Sequence, residues 1–150
     1  MKHQTIERVA DAAKLIEVTL EPMPSRKKLE RWADLLEAEP DRRLTTLVET
    51  EYRSPSRKAA MRSDNSPISV AFADPLLRAE GLRDDSYGEA RRFFEVSDRQ
   101  MHAILCHCRF GATVRSGIAA RAVRRVLAAQ SAKSFLGSLY VHVTGWRIWQ

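Results

Sequence analysis

Helix-boundary signals follow one another closely in the middle of the chain, and they restrict it to short helices. Ser66-Pro67 and Asp74-Pro75 each place a capping side chain before a proline. The missing amide proton of proline costs nothing at the first helical position. Gly81 can adopt the left-handed backbone that ends the second of these helices. The spacing therefore predicts two short helices separated by a sharp change of direction.

Two capping-box patterns continue this series of boundaries. Ser86 is followed by Glu89 at the third position, and Ser97 is followed in the same way by Gln100. The second box predicts a helix over residues 98 to 109. Residues that share one face of that helix are expected in the core, and they are Met101, Ile104, Leu105 and Cys108.

Apolar residues at helical spacing predict three further helices. The first covers most of residues 1 to 20 and ends before Pro22. The second begins with Ser25 as its N-cap and ends at Pro40, and its apolar face is Leu29, Trp32, Ala33 and Leu36. The last covers residues 114 to 130 with Thr113 as its cap, and its apolar arc is Ile118, Ala119, Ala122, Val123, Val126 and Leu127.

Three segments have weaker signals. Residues 41 to 52 fit either a helix or a strand, and the helix is favoured because no partner strand lies nearby in the sequence. Residues 53 to 65 are polar and punctuated, which makes them a candidate mobile linker. Residues 131 to 150 contain alternating apolar positions typical of a strand. That tail is expected to be an edge strand, a docked apolar tail or a poorly ordered extension.

These signals together predict an all-α protein. We expect a single small orthogonal domain of six or seven short helices over residues 1 to 130. The sequence does not define the conformation of the tail over residues 131 to 150, and one interpretation is an extended segment. Residues 66 to 130 are the best specified part of the core, because their local signals agree with one another. At 150 residues the chain is long enough to bury such a core.

The charge is distributed unevenly along the chain. The last acidic residue is Asp98, and eight Lys and Arg residues follow it, which gives the chain a formal charge of +6. Such a surface attracts polyanions or acidic proteins. The candidate residues for binding nucleic acid or another polyanion are Arg115, Arg121, Arg124 and Arg125.

Two helices joined by a turn, over residues 97 to 130, also suggest a nucleic-acid-binding helix-turn-helix. The second helix would then be the recognition helix. Arg121, Arg124 and Arg125 lie in its middle, away from its N-terminus, where they reach phosphates more easily than base edges. We therefore expect nucleic-acid binding of this kind to be weak and independent of sequence.

His102 and Cys106 are the residues that could hold a metal ion or form a thiol site. They lie four residues apart, so one helix face can present both to zinc. A closed tetrahedral site needs two more ligands, and no second cysteine pair exists in the sequence. The sequence therefore predicts no metal, no cofactor and no catalytic residue. An activity at Cys106 is kept as an alternative.

Residues 66 to about 125 also carry a family-like pattern. Its positions are Ala73-Asp74-Pro75, Leu77-Arg78, Gly81-Leu82, Asp85, Tyr87-Gly88-Glu89-Ala90, Phe93-Phe94, Ser97, His102, Cys106, Cys108 and Gly111. This pattern resembles a small family of uncharacterised bacterial proteins. The resemblance implies that the block is one structural unit. No activity is known for that family, so it implies no functional residues.

We expect the chain to be a non-catalytic binding or regulatory protein with a basic C-terminal surface. Its partner would be an acidic protein or a nucleic acid. No apolar run reaches the length of a membrane span, and the N-terminus lacks an apolar secretory signal, so we expect no membrane and a cytoplasmic location. The alternatives are the helix-turn-helix protein and the thiol or metal-dependent activity at Cys106. The oligomeric state cannot be predicted from the sequence.

Overall fold

A computed structural model describes residues 21–48, 53–106 and 111–145, with side chains described up to residue 132. The described chain is mostly helical, which confirms the all-α prediction. Its elements in order are α1 (Ser25–Ala38), β1 (Arg43–Thr45), α2 (Pro55–Ala59), α3 (Pro67–Ala73), α4 (Pro75–Ala79), α5 (Tyr87–Phe93), α6 (Asp98–Leu105), β2 (Thr113–Arg115) and α7 (Ser116–Gly145). The predicted helix within residues 1 to 20 lies outside the described residues.

The predicted starts of the central helices are confirmed, whereas α6 ends at Leu105, four residues before the predicted end at residue 109. Ser66 caps α3 by accepting a hydrogen bond from the Ser69 amide at 3.3 Å. Ser97 and Gln100 form both halves of the capping box at the start of α6. Gly81 has a φ of +101°, and its amide and the next one bond back to the last turn of α4.

The start of α5 differs in one hydrogen bond from the predicted capping box. The Ser86 hydroxyl accepts from the Glu89 amide as expected, at 3.3 Å. The Glu89 carboxylate instead accepts from the Arg83 amide at 2.9 Å, and the Ser86 amide donates to Asp84 at 2.7 Å. Asp84 has therefore replaced Glu89 as the acceptor for the amide of the N-cap residue.

The core lies between α1, α7 and the short central helices. The predicted face of α1 is buried, and its Trp32 stacks on Phe94 with ring centroids 4.4 Å apart. The helices α1 and α7 run antiparallel, since the Ser116 hydroxyl donates to the Leu36 carbonyl while Arg26 donates to Ser131 at the other end. The N-cap of α1 is Pro24 rather than Ser25, and no side chain forms a capping hydrogen bond there.

The helix favoured for residues 41 to 52 is wrong where the structure describes them. Residues Arg43–Thr45 form β1, which pairs antiparallel with β2, and Leu44 lies opposite Val114 in the register. Both of these side chains are buried, while their neighbours point away from the core. The partner strand is about seventy residues away in the sequence, so no local pattern could indicate it.

The last helix begins and ends later than predicted. Thr113 belongs to β2, and α7 starts at Ser116, whose amide donates to the Arg42 carbonyl at 2.8 Å. The helix then continues to Gly145, so the strand interpretation of the alternating residues 139 to 143 is wrong. The predicted apolar arc is confirmed, because Ala119, Val123 and their helical neighbours lie in the core.

The segment predicted as a linker, residues 53 to 65, contains α2. This helix has no buried residue, and it packs against α5. A Cβ atom on Gly88 would come within 2.9 Å of the Ala59 methyl group, so glycine is needed for this close approach. The Met61 carbonyl also accepts from the Tyr87 amide at 2.8 Å.

An ion pair between Arg31 and Asp74 joins α1 to the junction of α3 and α4. Arg31 donates to both carboxylate oxygens, at 3.0 and 3.1 Å, and Asp74 is buried. These hydrogen bonds hold the pKa of Asp74 below its ordinary value of 3.8. A carboxyl with a lowered folded-state pKa stabilises the fold above its unfolded-state pKa, and the contribution is lost as the pH falls.

We expect Asp74→Asn to lower the free energy of unfolding at pH 7 by about 1–3 kcal/mol, because hydrogen bonds to a charged group are lost from a buried position. The difference between wild type and variant should shrink below about pH 4, where the carboxyl of the unfolded chain becomes protonated. Urea denaturation at pH 7 and pH 3 measures both effects. An equal difference at the two pH values would contradict this role for the ion pair.

Candidate anion-binding surface

The four arginines that the sequence indicates have different environments. Arg124 lies on the side of α7 that faces α1. Its guanidinium donates to Asp34 at 2.5 Å and to both carboxylate oxygens of Glu37, at 2.8 and 3.1 Å. This contact raises the pKa of Arg124 and lowers that of Glu37. Arg124 therefore holds α7 against α1, and its charge is neutralised by two carboxylates.

Arg121 and Arg125 are exposed on α7. Neither forms a hydrogen bond or an ion pair with any residue that the structure describes. They lie four residues apart, so their side chains are neighbours along one side of the helix. We call these two residues the α7 arginine pair.

Arg115 lies on β2 rather than on the last helix. Its guanidinium is 3.4 Å from the Asp41 carboxylate, and the two side chains are 65% and 88% exposed. The β-sheet register places Arg115 directly opposite Arg43 of β1. Arg43 is also exposed, so two cationic side chains stand side by side on the outer face of the two strands. We call Arg43 and Arg115 the ribbon arginine pair.

Sequence reasoning missed Arg43 because it assigned residues 41 to 52 to a helix. In a helix, Arg43 would have no fixed relation to Arg115, which is distant in the sequence. A clue was present in both segments, since Arg43-Leu44-Thr45 and Thr113-Val114-Arg115 each place one apolar residue between two polar residues. Two such triplets suit a two-stranded ribbon with one face in the core.

The helix-turn-helix geometry differs from the expectation at the connection. Residues 106 to 115 separate α6 from α7, and they include β2. The start of the expected recognition helix is also covered, because Ser116 is buried and the Gly117 amide donates to the Pro40 carbonyl at 2.9 Å. Base contacts in this motif come from the N-terminal residues of the recognition helix. At this end of α7 those residues instead contact the loop after α1.

Cys106 and His102 lie at the C-terminal end of α6. Cys106 is fully buried at the C-cap position, and His102 is partly exposed. Within the described residues, no group of three or more His, Cys, Asp or Glu side chains could hold a metal ion. The other two members of the sequence cluster, His107 and Cys108, lie outside the described residues.

A cleft of about 830 Å³ lies between α2 and α5. Its charged side chains are largely engaged with one another. Lys58 contacts Asp98 at 2.7 Å, and Asp98 also accepts from the Tyr87 hydroxyl at 3.0 Å. Burial, reinforced by the Asp98 carboxylate, raises the pKa of Tyr87. This network secures α2 on the body of the protein, and no capping or periodicity signal in the sequence indicated it.

No helix in the described part of the chain combines the length and the apolar composition needed to cross a membrane. Comparisons with known proteins add no assignment to this surface. No protein-family model, no curated protein and no solved structure matches the chain.

Proposed function

We propose that this chain is a non-catalytic, cytoplasmic binding protein that recognises an acidic segment of a partner protein through its basic C-terminal surface. The observation that carries the proposal is the α7 arginine pair, Arg121 and Arg125. Both side chains are exposed, and no described carboxylate neutralises them. Arg115 adds a third exposed cation in a weak contact with Asp41.

An acidic protein segment suits this surface better than a nucleic-acid duplex. The arginines are interspersed with the carboxylates Asp34, Glu37 and Asp41, which would repel a continuous row of phosphates. A nucleic-acid-binding surface is typically a continuous positive strip. A peptide can place its carboxylates beside individual arginines and avoid the intervening acidic side chains.

The helix-turn-helix alternative receives less support, since the start of α7 is occupied by the loop after α1. The thiol and metal alternatives receive less support as well. Cys106 is fully buried, and a thiol must reach its substrate as an accessible thiolate in order to react. Neither alternative is part of the proposal.

The proposal is tested by fluorescence anisotropy with a labelled decaglutamate peptide. We expect Arg121→Gln/Arg125→Gln to weaken binding by about two- to thirtyfold at low salt, because two exposed ion pairs at about 0.2–1 kcal/mol each are lost. Binding by the wild type should also weaken steeply as salt is added.

The matched control is Arg57→Gln/Arg83→Gln, which removes two exposed arginines from α2 and from the loop before α5. This control should bind like the wild type if the site is local, and both double variants should bind alike if the peptide senses only net charge. The second result would contradict the proposal. A third outcome is that duplex DNA binds more tightly than the peptide, with the salt dependence of DNA binding reduced by about two phosphate contacts in Arg121→Gln/Arg125→Gln. In that case the partner would be a nucleic acid and not an acidic protein.

A further inference from the structure

The hydrogen bonds of the two strands define how the ribbon arginine pair is arranged. The Ser116 amide donates to the Arg42 carbonyl, and the Thr46 amide donates to the Ala112 carbonyl. Arg42 and Ser116 are therefore a hydrogen-bonded pair of the ladder, and so are Thr46 and Ala112. Hydrogen-bonded and non-hydrogen-bonded pairs alternate along an antiparallel ladder, so Arg43 and Arg115, the next pair after Arg42 and Ser116, are not hydrogen-bonded to each other. Cα atoms in such pairs are about 4.5 Å apart, closer than in bonded pairs. The two guanidinium groups can therefore reach one ligand.

Threonines occupy the next pair of positions on the same face. Thr45 lies opposite Thr113 in the register, two residues from the arginines on each strand. Side chains two residues apart on a strand point to the same face. The outer face of the ribbon thus presents two guanidinium groups and two hydroxyl groups.

A single neighbouring residue forms hydrogen bonds with two outward backbone groups of β1. Asn65 donates its side-chain amide to the Arg43 carbonyl at 2.8 Å, and its own carbonyl accepts from the Thr45 amide at 2.6 Å. This clamp fixes β1 from the side that faces away from β2. The ribbon arginine pair is therefore presented from a fixed backbone.

The charge of this pair is poorly balanced within the protein. Like charges directly opposite one another destabilise a sheet. Among the described residues Arg43 has no ion-pair partner, and Arg115 contacts Asp41, which is 88% exposed. An exposed ion pair of this kind contributes little to stability, so another anion can readily replace the Asp41 carboxylate beside Arg115.

We propose that the outer face of the ribbon binds a phosphate monoester. A monoester carries up to two negative charges and three strong acceptor oxygens, which match two guanidinium groups with hydroxyls beside them. A carboxylate has one charge and two oxygens, which a single arginine can satisfy in bidentate geometry. This inference rests on the proposed function, since it names a phosphorylated side chain as the group that the acidic partner would carry.

Asp41 acts as an internal competitor in this arrangement. Its carboxylate contacts the Arg115 guanidinium that the phosphate would contact, so binding of the phosphate displaces it. Replacing Asp41 with asparagine removes both the competition for Arg115 and the electrostatic repulsion between the Asp41 carboxylate and the phosphate. A purely structural role of the ribbon arginine pair would give no such gain in affinity.

The test is a nuclear magnetic resonance titration of the ¹⁵N-labelled full chain at constant ionic strength. The probes are glycerol 2-phosphate, dimethyl phosphate and acetate, and the signals followed are the amides of Thr45 and Thr113. At pH 7.5 we expect the monoester to bind at least about fivefold more tightly than the diester or acetate. The preference should shrink at pH 5, because the second pKa of a monoester is about 6.

Three single variants localise the site. Arg43→Gln should abolish the preference for the monoester, Asp41→Asn should raise its affinity by about two- to fivefold, and Arg57→Gln should leave both unchanged. Retained Leu44 and Val114 amide signals show that the ribbon is still folded. Equal binding of the three probes, absence of binding, or unchanged selectivity in folded Arg43→Gln would each overturn the inference.

This outcome can be separated from a failure of the proposed function. Decaglutamate contains no phosphate, and its binding depends on the α7 arginine pair. If the peptide still binds but the ribbon does not distinguish the three probes, only the phosphate inference is overturned. Selective monoester binding without any peptide binding would overturn the proposed acidic partner and leave the ribbon site in place.

Discussion

Replacing Trp32 with alanine is expected to lower the free energy of unfolding by about 3–5 kcal/mol. Trp32 is fully buried, stacks on Phe94 at 4.4 Å and donates its indole N–H to the Pro67 carbonyl at 2.8 Å. The substitution removes the stacked ring and leaves a cavity and a buried carbonyl without this donor. Urea denaturation followed by circular dichroism measures the loss.

Trp32→Phe separates these contributions and guards against a variant that does not fold. Phenylalanine keeps an aromatic ring for the stack on Phe94 and loses the hydrogen bond to Pro67. We expect it to cost less than Trp32→Ala, with about 1–3 kcal/mol of the loss due to the carbonyl left without its donor. A loss below about 1 kcal/mol for Trp32→Ala would show that this side chain does not fill the core as described.

Replacing Leu105 with alanine is expected to cost about 2–5 kcal/mol. Leu105 is fully buried at the end of α6, and its carbonyl accepts from the Leu47 amide at 3.0 Å, next to β1. The lost side chain leaves a cavity where α6 meets the loop that follows the ribbon's first strand. The measurement is again urea denaturation.

Leu76→Ala is the matched control, because it makes the same chemical change on a side chain of α4 that is 52% exposed. Surface substitutions of this kind usually change stability by no more than about 0.5 kcal/mol. If the two leucine variants lost equal stability, the predicted inward face of α6 would be wrong. A large difference between them is the result expected from the buried face.

Signals confined to a few neighbouring residues were sufficient to predict the central helices. The Ser97 and Gln100 capping box and the Gly81 C-terminus involve residues no more than about six positions apart, so their hydrogen bonds can be anticipated from the chain itself. The buried faces of α1 and α6 follow in the same way from helical periodicity. These elements made the fold class predictable.

Contacts between distant segments were not predictable in this way. β1 forms because β2 supplies its hydrogen-bonding partner, and this pairing also places the start of α7 at Ser116 instead of the predicted residue 114. The arginine surface changed for the same reason. Arg124 is neutralised by Asp34 and Glu37, which lie about ninety residues earlier in the sequence.

The tail shows a different conflict between patterns. Residues 139 to 143 alternate in hydrophobicity as a strand does, yet the backbone continues as helix to Gly145. No strand among the described residues lies beside them, and β1 is already paired with β2. A helix satisfies its own backbone hydrogen bonds and needs no such partner. Alternation is therefore insufficient evidence for a strand without a second strand.

The arginine that joins two helices and the arginines that we propose for binding are different residues of the same C-terminal region. Arg124 fastens α7 to α1, while Arg121 and Arg125 remain exposed one turn apart. The ribbon carries Arg115 at the start of the same region and adds Arg43 from the other end of the domain's sequence. The arginines of the proposed binding surface therefore do not belong to the core or to the ion pairs that hold the helices together.

Binding of an acidic segment at the basic C-terminal surface can be examined by mapping the residues that the peptide contacts. Unlabelled decaglutamate is titrated into the ¹⁵N-labelled full chain, and the shifts of assigned backbone amides are followed. We expect saturable shifts that are largest around Arg121 and Arg125 and extend to Arg115. Shifts that are largest on α4 and α5, or no shifts at low salt, would contradict it.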